Sequence, residues 1–112
     1  MEIGTELAKQ KCKPCEGGTP PLGGEEIARY LAKLEGWGLA DGTLAKSFEF
    51  KNHYHVMAFA NAVAWVSHRE NHHPVMEVSY NRCRLLYTTH AIGGLSENDF
   101  ICAAKIDALF AL

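Results

Sequence analysis

Two runs of alternating residues, each broken at a turn dipeptide, limit the folds open to this chain more than any other feature. In the first, Trp37 to Ala40 and Thr43 to Phe50 flank Asp41-Gly42, a pair suited to the positive φ angles of a tight hairpin. Phe48 and Phe50 alternate there with Ser47 and Glu49, the period of a half-buried strand. The second run spans Met76 to Tyr80 and Cys83 to His90 about Asn81-Arg82. Its period of two separates Cys83, Leu85, Tyr87 and Thr89 from Arg84, Leu86, Thr88 and His90. Between the hairpins, from His53 to Arg69, no Gly or Pro intervenes, and Val56, Phe59, Ala60, Val63 and Val66 recur on one helical face. A segment opened by Glu25 and Glu26, with Ile27, Leu31 and Leu34 at helical spacing and Gly36 at its end, predicts a helix before the first hairpin. Ser96 to Asp99 resembles a capping box and opens a last helix through Phe100, Ile101, Ala104 and Leu109. The order α-β-β-α-β-β-α predicts a single two-layer α+β domain, a four-stranded antiparallel sheet with helices on one face. Such a domain leaves one sheet face and two edges open, so a symmetric homo-oligomer that covers Leu86 and its neighbours is expected.

The 112 residues, 47% hydrophobic and 21% charged, suit one compact domain with a modest core. A net charge of -2 and a pI near 6.3 supply no basic footprint for a nucleic acid, which leaves small molecules or proteins as partners. The opening MEIGTELAKQKCKPC has no apolar signal core, and no apolar run approaches the roughly 20 residues of a membrane helix, so a cytoplasmic protein with no membrane partner is expected. Residues 1–23 read as a flexible Cys/Pro/Gly-rich leader and residues 24–112 as the folded domain. Cys12 and Cys15 form a CxxC. It lacks the second pair on which a four-ligand zinc site draws, and it lies outside the strand-to-helix setting of a redox motif. Loop structure is its simplest reading, with metal and redox roles left open.

Six histidines occur, at 53, 55, 68, 72, 73 and 90. His53 and His55 fall where the long helix begins and are expected to face solvent or cap a neighbour. ENHHPV, from Glu70 to Val75, differs: Pro74 excludes the α region for His73, so adjacent imidazoles are held extended and aimed apart. His90 ends the last strand beside Gly93-Gly94, and all three residues stand at element ends, where sites are commonly built. Three histidines suggest zinc, yet ligand pairs on one element usually sit at i,i+2 or i,i+4 rather than side by side. Taken alone, the cluster leaves metal binding, acid/base catalysis and plain structure all open.

NHHP at Asn71 to Pro74, Tyr80, TTH at Thr88 to His90 and GLSEND at Gly94 to Asp99, preceded by LEGW and FEFKN, resemble the pterin-4a-carbinolamine dehydratase family from Trp37 to Asp107. The resemblance implies a hydro-lyase that removes water from a 4a-hydroxytetrahydropterin without metal or redox cofactor, and that assembles as a homodimer or homotetramer. It implies a catalytic set of His72, His73 and His90, with His73 as base and the other two as acids. Asp99, Trp37, Thr88, Thr89 and His68 become candidates for binding or orienting the substrate. Asp99 suits two roles, orienting an imidazole or closing the helix start, and Trp37 suits site or core. One departure stands out. The family often carries Glu four residues before the first histidine, where this chain has His68, with Glu70 two residues later. Two rivals follow: a protein-binding module of the transcriptional coactivator type, since animal members also serve as dimerisation partners, and a three-histidine zinc hydrolase.

Overall fold

The computed structural model describes residues 6–14 and 17–111; Cys15 of the CxxC lies outside them. After a helical turn at residues 6–8, the elements are α1 (Gly24–Leu31), β1 (Gly38–Ala40), β2 (Thr43–Glu49), α2 (His53–Glu70), β3 (Val75–Val78), β4 (Arg82–Tyr87) and α3 (Glu97–Ala108). Short 3-10 turns follow β4 at His90–Ile92 and α3 at Leu109–Ala111. The strands form one antiparallel sheet in the order β1-β2-β4-β3. This is the expected α+β architecture. Asp41 (φ 51°) and Gly42 (φ 79°) supply the two positive angles of the first hairpin.

The register explains the core. Leu44 pairs with Tyr87 and Phe48 with Cys83, so one face of the central strands is apolar except at Lys46, opposite Leu85, whose ammonium reaches Asp107. Val56, Phe59 and Val63 of α2 and Phe100, Ile101, Ala103 and Ile106 of α3 cover that face, and all are buried. Val75, Leu86 and Ala45 fall on the opposite face, which the described helices leave uncovered and where Val75 stays exposed. α1 packs on the margin of the core through Ile27, Tyr30 and Leu31, none of them fully buried. It is held by the Tyr30 ring stacked on Phe100 at 4.9 Å and by the Tyr30 hydroxyl donating to Glu97.

Two element ends shape the site, and the second differs from the sequence expectation. α2 continues through Glu70 and stops at Asn71, whose left-handed conformation (φ 54°) lets its own N–H reach His68 O and the His72 N–H reach Ser67 O. The last strand does not reach His90. β4 ends at Tyr87, because Thr89 pairs back onto Gly94 and the chain folds into the 3-10 turn that starts at His90. Gly94 is needed at that return: a β-carbon there would lie 2.7 Å from the Pro21 ring.

Candidate active site

Three element ends meet around His72: the turn after α2, the loop after β4 and the first turn of α3. Beyond Asn71 the chain runs extended into the buried Pro74, and the two imidazoles part company. His72 turns inward. Its ring stacks on Tyr87 at 5.6 Å, and its Nε2 lies 2.6 Å from Asp99 Oδ1. Asp99 is fully buried, and its other oxygen accepts the Ser96 N–H at 2.9 Å and the Thr89 hydroxyl at 2.8 Å. Since Thr89 donates to the carboxylate, the Ser96 hydroxyl must donate to Thr89 Oγ1 at 2.7 Å, while it accepts the Asn98 N–H. The carboxylate is thereby left as an acceptor for His72. Asp99 closes the helix start and holds an imidazole at once, because its two oxygens divide the work.

His73, by contrast, is exposed, as is His90. Both nonetheless border the same cavity of about 500 Å3 as His72, Thr88 and Thr89. A smaller hollow of about 220 Å3 opens on the uncovered sheet face and shares His73, Thr88 and His90 with the first. The adjacent imidazoles thus serve different environments, one anchored on a buried carboxylate and one facing solvent. Among the described residues, no three or more His, Cys, Asp or Glu side chains group so as to hold a metal ion.

Besides the buried Asp99, two candidates from the sequence do not line either hollow. Trp37 is buried, its indole N–H donates to Asp107 at 3.0 Å, and its ring packs on Phe48 and Tyr87; it supports the platform under His72 rather than touching the cavity. His68 is exposed on α2 with its ring against Trp65, since an unbroken helix keeps it on the outward face. His53 stacks on Tyr80 at 6.3 Å, and His55 is exposed at the helix start.

Sequence reasoning missed the leader's contribution. Lys11, Cys12, Lys13 and Pro14 line the larger cavity together with Glu70 and Asn98. Burial alone would push the Glu70 carboxyl up, but the Cys12 backbone N–H, with Lys105 and Lys11 behind it, holds it below its ordinary range. Cys12 Sγ lies 3.6 Å from Cys102 Sγ, and that contact, with burial behind it, raises the Cys102 thiol pKa. The signal in the sequence was faint: lysines flanking a cysteine, with no period to place them.

Fold and site together define a class, small α+β domains with a histidine-lined cavity where their element ends meet. Comparison with known proteins narrows it. The family model for pterin 4 alpha carbinolamine dehydratase matches residues 20–109. A relative from Nitrosomonas eutropha, provisionally named a pterin-4-alpha-carbinolamine dehydratase, is 67% identical over 93% of this chain and 93% of its own. Another of the same provisional name, from Dechloromonas aromatica, is 54% identical over the full length of both. A crystal structure from Brucella melitensis, described as a transcriptional coactivator/pterin dehydratase, superposes with a TM-score of 0.76 at 30% identity, covering 80% of this chain and 97% of that one. The chain belongs to the pterin-4-alpha-carbinolamine dehydratase family, a family of hydro-lyases.

Proposed function

We propose that the chain dehydrates a 4a-hydroxytetrahydropterin to the quinonoid dihydropterin by histidine acid/base catalysis, returning the pterin to use after aromatic hydroxylation. The reaction removes the N5 proton and protonates the C4a hydroxyl so that it leaves as water; one proton is taken up and one given. His73, exposed at the cavity, takes the N5 proton. His72 and His90 supply the proton to the departing hydroxyl. The observation that carries the reading is the 2.6 Å contact from His72 to the buried Asp99, in a cavity shared with both other histidines. Asp99 fixes which nitrogen of His72 faces the protein and leaves its other nitrogen to exchange a proton. Thr88 and Thr89 border the same space, and Thr89 acts through Asp99. The described cysteines are free thiols, which supports a cytoplasmic location. No described helix is long and apolar enough to cross a membrane.

A homodimer or homotetramer completes the proposal. It is supported by Tyr54, Met57 and Trp65, exposed along one stripe of α2, and by Val75 on the open sheet face. The same stripe would suit a protein-binding role of the kind named for the Brucella structure, as a second reading. Dehydration followed by absorbance tests the first reading. Metal-stripped wild type should accelerate the reaction, and His72→Ala, His73→Ala and His90→Ala, each folded, should each lose about 100-fold or more in kcat. A folded wild type without acceleration would transfer the assignment to the binding role.

A further inference from the structure

Two buried polar side chains outside the histidine set are turned onto the leader. The Glu70 side chain is 5% exposed, and its Oε1 accepts the Cys12 backbone N–H at 2.9 Å. Lys105 stands 3.7 Å from Oε2 and also donates to Ala8 O at 2.6 Å. One residue further on, Asn98 pairs with both backbone groups of Lys13: its Oδ1 accepts the N–H at 3.0 Å and its Nδ2 donates to the carbonyl at 2.6 Å. Below these, the Cys12 and Cys102 thiols are in contact, and Leu7 is buried in the core. The end of α2 and the start of α3 therefore grip successive residues of one segment, and that segment lines the cavity that holds the histidines. A buried carboxylate is costly unless it is paired, and the partners of Glu70 lie in the leader and in α3.

We propose that residues 11–14 are a fixed wall of the pterin cavity, and that Glu70 is a positioning residue which acts on the reaction only through that wall. The proposal rests on the dehydratase reading. It gives Glu70 a role distinct from direct contact with substrate: the carboxylate holds backbone, and the backbone encloses the ligand and limits water beside the imidazoles.

Steady-state dehydration and hydrogen exchange, measured on wild type, Glu70→Ala, Glu70→Gln, a chain lacking residues 1–14, and that chain carrying Glu70→Ala, test this. Glu70→Ala should raise KM about tenfold with kcat within about twofold, and should speed exchange of the Cys12 and Lys13 amides. Glu70→Gln keeps an acceptor for the Cys12 N–H and should recover most of the KM. The shortened chain should show the raised KM already, with no further change on adding Glu70→Ala. A fall in kcat with exchange unchanged, or an additive effect in the shortened chain, would overturn the proposal. If loss of Leu7 prevents the shortened chain from folding, the exchange rates and the Gln rescue in the full chain decide. If wild type fails to turn over, the dehydratase reading falls separately. The wall is then judged by 7,8-dihydropterin affinity, which Glu70→Ala should weaken about tenfold; unchanged or absent binding would overturn it.

Discussion

Asp99 accepts three hydrogen bonds through two oxygens and has no exposure to water, so its removal would strand partners on three elements. The neighbouring Tyr87 presents the reverse case. Its ring is the surface on which His72 stacks, while its buried hydroxyl makes no well-formed hydrogen bond among the described residues and has the Ser67 hydroxyl and the Cys102 thiol as polar neighbours. Desolvation by burial raises the pKa of that hydroxyl well above the ordinary tyrosine range. Tyr87→Phe keeps the ring and removes a buried hydroxyl that makes no well-formed hydrogen bond, so it should leave stability unchanged or increase it by up to about 1 kcal/mol in denaturant unfolding. A loss larger than that would mean the hydroxyl makes a bond that its surroundings do not reveal. At this scale the sequence was informative where the chemistry was local. Ser96 and Asp99 stand at capping-box spacing, and Pro74 constrains His73 directly. The assignment of His72 rather than His73 to Asp99 was not legible, because the two residues are separated from Asp99 by a strand pair and a turn.

Elements place these side chains, and their ends matter more than their middles. Asn71 stops α2 in a left-handed conformation that a non-glycine residue adopts at some cost, and the turn it makes aims His72 and His73 apart. Asn71→Gly should be tolerated, whereas Asn71→Ala should cost about 1–2 kcal/mol in thermal or chemical unfolding. Equal effects of the two would show that side-chain bonding, not backbone conformation, matters there. The hairpins and α2 were legible because a period of two, a period of 3.6 and the Asp41-Gly42 pair are all short-range signals. The end of β4 was misjudged for a physical reason: alternation continues through Thr88 to His90, but the Thr89 bridge to Gly94 competes with the strand and wins. Trp37 was ambiguous between core and site, and the bond to Asp107, far along the chain, turns it into the core.

Across the whole molecule, the leader joins the domain through contacts that no periodic pattern announces; Cys12 and Glu70 are 58 residues apart in sequence. Because the folded state holds the Glu70 carboxyl below its ordinary value of 4.5, its contribution to stability is present above that value and is lost as pH falls through the folded one. The gap in unfolding temperature between wild type and Glu70→Gln should therefore be open at neutral pH and close in acid, and a gap independent of pH would remove the ion pair from the account. The central claim is that a metal-free imidazole, held by a buried carboxylate, moves the proton in pterin dehydration. Its most direct test is kcat for metal-stripped wild type beside folded Asp99→Asn, which preserves shape and removes the carboxylate charge beside His72. A loss of about 100-fold with the substrate still bound is the expected result. An unchanged kcat in a folded Asp99→Asn protein would contradict the claim.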